Sequence, residues 1–180
     1  MCLKNDRPSS KFFADYMNAM KIKYDIIYKA EITNVVRSAF AEALKMQDKV
    51  KGDLATKADR CKILCIAKID DSVVGIGAIK EKTTSDFSNE KAAMPELQGD
   101  FEWELGYLFT SSEYSGKGIA RNITRLLIEA YGGGNLMAST EISANPGMVK
   151  ILETSGFRLF GKPWKSGIHN NYLGLFLKSK

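Results

Sequence analysis

The sequence predicts a mixed α/β fold in which antiparallel hairpins come first and strand-helix-strand-helix units follow. Three observations carry that expectation. Two β-branched runs flank Asp70-Asp71-Ser72, which reads as a hairpin of Ile63 to Ile69 with Val73 to Lys80. An amphipathic helical period at Ile119 to Tyr131 follows the run Phe101 to Thr110, and the capping signals Asn145 and Pro146 open a further helix after "NLMASTEI". A chain of 180 residues, 44% of them hydrophobic, can bury a sizeable core and is expected to form one domain over residues 1–180.

Along the chain, "SSKFFADYMNAM" spaces Phe12, Phe13, Tyr16, Met17 and Met20 as one helical face, giving an extra N-terminal helical segment within residues 1–22. "YDIIY" (Tyr24 to Tyr28) reads as a strand. Ile32, Val35, Val36, Ala39, Phe40, Ala43 and Leu44 then keep the i, i+3, i+4 pattern of a helix for over three turns. "MQDKVKGDLATKADR" is polar, with at most one weak helix. Residues 81–100 are polar and without period, so they read as a long loop that is either functional or partly disordered. Asn145 and Pro146 stand as N-cap and first residue of the last helix, and Gly156 as its stop. Strands around Phe157 to Phe160 and Tyr172 to Lys178 complete the chain.

Several classes of function drop out. No apolar run approaches the ~18 residues of a membrane span. The opening "MCLKNDRPSS" has no apolar export core and no lipidation glycine, so a cytoplasmic location and no membrane partner are expected. Three cysteines without CxxC spacing and a single histidine, His169, predict neither a disulfide framework nor a metal site. The net charge of +5 comes without any helix-turn-helix or RNP-like motif, so nucleic acid is not an expected partner.

The stretch "YSGKGIARNITRLLIEAYGGG" (Tyr114 to Gly134) is the most informative. A strand running through a small-residue loop into a helix presents unpaired N–H groups at the positive end of the helix dipole, which is an anion site. Lys117 and Arg121 stand at that end, where a cation opposes the dipole by a few tenths of a kcal/mol. A bound polyanion would reverse that sign. Arg125 and Glu129 continue the same stripe as an ordinary solvated face. A P-loop and a dinucleotide fingerprint both fail on spacing, since no Ser or Thr follows Lys117 and Arg121 occupies the third glycine's place.

Ser115 to Ala120 resembles the acetyl-CoA signature Q/R-x-x-G-x-G/A of the GNAT superfamily of N-acetyltransferases, with Gly118 and Ala120 matching and Ser115 at the Gln/Arg position. "NPGMVKILETSGF" is similar to a second stretch of that family, N-x-x-A/S-x-x-x-Y-x-x-x-G-F. Asn145, Gly156 and Phe157 match there, whereas Met148 and Leu152 depart at the small residue and the tyrosine. The resemblance covers roughly Tyr24 to Lys178. It implies a GNAT fold: a mixed, mostly antiparallel sheet of six to seven strands with flanking helices, the fourth and fifth strands splayed.

The resemblance also implies that acetyl-CoA is the acetyl donor, held by the backbones of Leu108, Phe109 and Thr110, by the loop Ser115, Gly116, Lys117, Gly118, Ile119, Ala120 and Arg121, and by Asn145. Asn145 is equally readable as a helix cap alone. The reaction implied is direct attack of an amine on the thioester in a ternary complex. A primary amine of pKa ~10.4 must lose a proton first. Glu104 is the first candidate base and Glu141 the second, each also readable as a solvated or salt-bridged carboxylate. Strict alternation puts Glu104 on one face with Gly106 and Leu108. Leu152 cannot protonate a leaving thiolate as the family tyrosine does; Tyr131, Tyr172 or water would have to substitute. The alternative function is a CoA-binding regulatory domain of weak or no activity. Expected partners are acetyl-CoA and an amine acceptor, with a homodimer as an open alternative to a monomer.

Overall fold

The structure, a computed structural model, describes residues 21–180; the expected N-terminal helical segment lies almost wholly outside them. Seven strands form one sheet in the order β1-β2-β3-β4-β5-β7-β6. They are β1 Lys23–Tyr28, β2 Cys61–Ile69, β3 Ser72–Glu81, β4 Trp103–Thr110, β5 Leu136–Glu141, β6 Arg158–Lys165 and β7 Tyr172–Lys178. Every pairing is antiparallel except β4 with β5. This is the mixed, mostly antiparallel sheet with flanking helices that the sequence predicts.

The expected hairpin forms about Asp70-Asp71, with Ile69 facing Ser72 and Asp70 left-handed at φ 51. Aspartate tolerates that conformation better than a branched residue. Among the described residues, three α-helices flank the sheet: α1 Asn34–Gln47, α2 Ile119–Tyr131 and α3 Pro146–Thr154. Thr33 caps α1 by accepting from the Val36 N–H, and Asp48, left-handed, ends it. The α1 stripe predicted from the sequence buries Phe40, Ala43 and Leu44 on one face, together with Leu64, Ile66, Ile76 and Ala78. On the other face α2 lays Ile119, Ile123 and Leu127 over β2 and β3. Gly75 and Gly77 of β3 permit that approach. A Cβ on Gly77 would meet Ile123 at 2.6 Å and Leu108 at 2.8 Å.

Residues 81–100 depart from the long-loop expectation. They fold as two short 3-10 turns, Thr84–Phe87 and Pro95–Asp100. Phe87 and Ala92 are fully buried, in a third core cluster with Phe101, Met137, Trp164, Leu175 and Leu177. The segment therefore covers the second face of the β5-β7-β6 half. Its apolar residues are too few and too irregularly spaced to show a period, which is why the sequence hides them. Lys162 N–H donates to Ala92 O at 3.0 Å, and the carbonyl lies so close over Gly161 (φ 66) that a Cβ there would clash with it. Strand β6 accordingly extends five residues beyond Phe160, including Pro163 on the sheet edge, where a missing N–H is tolerated.

Candidate active site

The site begins where β4 and β5 part. Their ladder consists of Trp103 with Leu136 and Glu104 with Met137 only. From Leu105 onward β4 therefore lacks a strand partner on that side. On its other side, Ile76 of β3 faces Phe109 while Ala78 faces Gly106, so two β4 residues, Tyr107 and Leu108, oppose one on β3. Tyr107 carries a φ of 55. This is a β-bulge, a common device for re-aiming a strand beside a functional site.

The bulge corrects the alternation argument. Leu108 lies with Leu105 in the core beneath α2, while Tyr107 and Phe109 pack toward Phe40 on the opposite face. Glu104 thus does not share a face with Leu108. One residue in the left-handed conformation shifts the parity, and a two-residue period cannot reveal it.

The gap between β4 and β5 holds two adjoining cavities. The outer groove, about 630 Å³, is lined by Leu108, Phe109, Thr110, Ser115, Gly116, Gly118, Ile119, Ala120, Arg121 and Asn145. Among the residues that the sequence nominated for cofactor binding, only Lys117 is not in the lining; its ammonium lies 5.4 Å from the centre of the Tyr114 ring. The inner cavity, about 220 Å³, is lined by Leu105 to Leu108 of β4, Ala138 to Glu141 of β5, Leu152 of α3, and Ser166, Ile168 and His169 between β6 and β7. Gln47, Lys49, Leu108, Asn145 and Met148 belong to both.

One end of the groove is formed by the turn Ser112–Tyr114 followed by Gly116 (φ 76) and Gly118 (φ 79). Gly118 caps α2 with no side-chain hydrogen bond, and an added Cβ at either glycine would meet nothing within 4 Å. The first turn of α2, without a side-chain cap, contributes Ile119, Ala120 and Arg121 to the groove wall. Asn145 caps α3 by accepting from Met148 N–H at 3.3 Å, and its amide reaches Thr140 Oγ1 at 3.5 Å. Gln47, in the last turn of α1, donates to Leu108 O at 2.9 Å.

The two candidate carboxylates fall in different surroundings. Glu104 is buried against Lys80, with Nζ 2.6 Å from Oε2, and also accepts from Thr83 N–H at 2.7 Å. It lines neither cavity. Glu141 lines the inner cavity, with Lys49 Nζ 2.8 Å from Oε2 and His169 Nε2 2.7 Å from Oε1. Asn171 Nδ2 donates to the same Oε1 at 3.3 Å. Burial raises the pKa of Glu141, but the hydrogen bonds from Lys49 and Asn171 and the charges of Lys49 and His169 outweigh it and hold the group below its ordinary value.

Sequence reasoning missed Lys49, Gln47, His169 and Asn171. They lie in aperiodic polar stretches, and only the closing of β7 against β5 brings Asn171 and His169 to Glu141. Leu152 is 1% exposed and packed in the core, an alkyl wall where the family tyrosine would stand. Tyr131 and Tyr172 line neither cavity. Tyr107 does line the inner one, and burial pushes its phenol up to about 12. Among the described residues no group of three or more His, Cys, Asp or Glu side chains could hold a metal ion, and no helix is long and apolar enough to cross a membrane.

A mixed sheet opened between a bulged strand and its parallel neighbour, with a glycine loop leading into a helix at one end of the opening, defines an acyl-CoA-type transferase fold. The chain belongs to the Acetyltransferase (GNAT) family, whose profile it matches over residues 30–157. No curated protein matches it by sequence. Similar solved structures include an IAA acetyltransferase from Bacillus cereus, 17% identical, with a TM-score of 0.57, covering 89% of this chain and 100% of that one. ElaA from Escherichia coli is 8% identical, with a TM-score of 0.64 over 88% and 100% of the two chains. The yncA protein from Salmonella typhimurium, solved with acetyl-CoA, is 13% identical, with a TM-score of 0.60 over 88% and 94%. At these identities the likeness is one of fold.

Proposed function

We propose that the protein transfers the acetyl group of acetyl-CoA to a primary amine of a small molecule or protein, both substrates being held together in the cleft between β4 and β5. The observation that carries this reading is that the two cavities adjoin, with Gln47, Lys49, Leu108, Asn145 and Met148 in the lining of both. One end offers uncapped helix N–H groups and Arg121 to a pyrophosphate; the other offers a fixed carboxylate, Glu141, to a cation. Bound acetyl-CoA would supply a thioester carbonyl and a thiolate leaving group.

The chain's own contributions follow from position. The edge of β4 at Leu108 to Thr110, which has no strand partner on the β5 side although Leu108 O accepts from Gln47, can take an extended amide chain as an added strand, with Asn145 on the opposite wall. Ser115 to Arg121 surround the phosphates, and Lys117 adds charge nearby. Leu108 and Asn145 border both cavities, at the place where the reacting groups would meet. Glu141, kept anionic by Lys49 and Asn171, draws an ammonium into the inner cavity. Glu104, held by Lys80 and Thr83, supports the bulge and handles no proton in this reading. Leu152 offers no proton to sulfur; a thiol of pKa ~8.5 leaves tolerably as thiolate, and the missing acid costs roughly 10²–10⁴-fold in rate.

Leu152 also favours the second reading, a CoA-binding domain with regulatory rather than catalytic use. Thiol release measured over amino acids, polyamines, aminoglycosides, amino sugars and peptides decides between them. Amine-dependent release supports the transferase. Binding of acetyl-CoA with no release above hydrolysis for any amine supports the regulatory domain.

A further inference from the structure

The inner cavity is charged at one place. Among the described residues, Lys49 and Glu141 are the only Lys, Arg, Asp or Glu side chains in its wall, and they are paired, Lys49 Nζ standing 2.8 Å from Glu141 Oε2. The Lys49 side chain is 49% exposed and that of Glu141 7%, so the cation is the more open of the two. The end of α1 carries it across the cleft. Gln47 Nε2 donates to Leu108 O and ties the last turn to β4. Asp48, left-handed at φ 54, then turns the chain, and Lys49 reaches Glu141 at the end of β5.

Neither partner is used up by this contact. Glu141 Oε1 has Asn171 Nδ2 at 3.3 Å and His169 Nε2 at 2.7 Å, while Oε2 has Lys49 alone among the described residues. A carboxylate accepts about four hydrogen bonds and an ammonium donates three. The pair therefore keeps an acceptor position on Oε2 and N–H donors on Lys49, side by side. Leu105, Leu152, Ile168 and Leu173 give the same cavity apolar wall. Its volume of about 220 Å³ is below the ~300–1,000 Å³ of sites that enclose drug-sized ligands.

We propose that the acceptor is a small α-amino carboxylate with an apolar side chain, its carboxylate on the Lys49 ammonium and its amino group at Glu141. The assignment rests on the amine-acetylation reading above and names its substrate class. Charge decides among the amines. A polyamine offers Lys49 no anion and brings further cations against it. A peptide N-terminus suits Glu141 but likewise leaves Lys49 without an anion. An α-amino acid carries a cation and an anion joined through one carbon, so each meets the opposite sign in the pair, and wrong partners meet a like charge. An aliphatic side chain then covers the apolar wall.

The test measures acetyl-CoA-dependent thiol release by the wild-type protein over the common α-amino acids, each beside its carboxamide. The carboxamide keeps the amine and side chain, loses the carboxylate, and stands for a peptide N-terminus. Its amine is the less basic of the two, so more of it is neutral near physiological pH and a preference for the acid runs against that bias. Aliphatic amino acids should show kcat/KM at least ~10-fold above their amides, mostly through KM. Lys49→Met should bring that acid-to-amide ratio to within about threefold of one, and Lys49→Arg should retain most of it. Because Lys49 also borders the outer groove, acetyl-CoA affinity is titrated in parallel. A large loss of that affinity in Lys49→Met with an unchanged acid-to-amide ratio would give Lys49 to the cofactor and overturn the proposal. Amides or polyamines acetylated as fast as the acids by wild type would also overturn it, while leaving the acetyltransferase reading intact. A wild-type protein that binds acetyl-CoA but acetylates no amine would instead remove both.

Discussion

The Lys80 ammonium and the Glu104 carboxylate meet at 2.6 Å with each side chain only 7% exposed, directly behind the bulge in β4. Lys80 lies across Gly106, where an added Cβ would come within 2.7 Å of its Cε, and its Nζ is 5.3 Å from the centre of the Tyr107 ring. The pair therefore braces the residues whose displacement opens the cleft. Glu104→Gln leaves a buried ammonium uncompensated and should lower stability by ~3–5 kcal/mol. The double change Lys80→Met, Glu104→Leu should cost less than either single change. Turnover per folded molecule should stay within a few-fold of wild type. A 10²-fold loss of kcat at unchanged melting temperature would instead give Glu104 the proton-transfer role that the sequence suggests.

Gly118 tests the phosphate end. Its φ of 79 strains any L-residue, while the space above it is open, so Gly118→Ala and Gly118→Glu share the backbone cost of ~1–2 kcal/mol and differ in charge and bulk. Calorimetry should show a modest loss of acetyl-CoA affinity for Ala and a loss of more than tenfold beyond it for Glu. Equal affinities of the two variants would put the pyrophosphate elsewhere.

How much of this was legible in advance depends on the range of each interaction. The helices at Phe40, Ile123 and Leu152 announce themselves because periodicity is local, and Asn145-Pro146 and Gly156 mark the limits of α3 by capping chemistry alone. The glycine loop is legible for the same reason as a left-handed turn that leads into α2 at Gly118. The bulge at Tyr107 is not legible, since nothing in "WELGYLFT" distinguishes a regular strand from one that turns left-handed once. Nor is the Glu141 cluster, whose members lie as far apart as Lys49 and Asn171 in sequence and meet only through the sheet order β5-β7-β6. Phe87 and Ala92 are hidden because isolated apolar residues in a polar segment carry no period.

Charge at the groove should be local. Arg121 lines it, whereas Arg125 Nη1 is 2.8 Å from both oxygens of Glu129 on the solvent side of α2. Replacing Lys117 and Arg121 together by Gln should weaken acetyl-CoA binding and flatten its salt dependence. Arg125→Gln should change affinity less than twofold. Equal effects from all three positions, measured by titration at two ionic strengths, would indicate a diffuse field rather than a phosphate site.

The two described cysteines should be inert. Cys61 and Cys65 are fully buried on β2, and burial pushes each thiol up to about 12, so the thiolate that alkylating reagents need is nearly absent at pH 8. Iodoacetamide should label neither in the native protein and both after denaturation, as read by peptide mapping. Native labelling of Cys65 would mean that β2 opens on the timescale of the experiment.

Glu141 gives the acid limb of stability a sign. Although burial raises its pKa, Lys49, Asn171 and His169 bring it below the ordinary value of 4.5, so the folded protein binds that proton less tightly than the unfolded chain. Its contribution is complete above pH ~4.5 and disappears as pH falls through the lower, folded-state value. A carboxylate held by charged donors is worth on the order of 1–3 kcal/mol, several degrees in melting temperature for a chain of this length. Wild type should therefore melt above Glu141→Gln at pH 7, and the gap should close as pH is lowered toward 3. A gap that persists unchanged at pH 3 would show that the substitution acts through packing of the His169 loop rather than through the charge of Glu141.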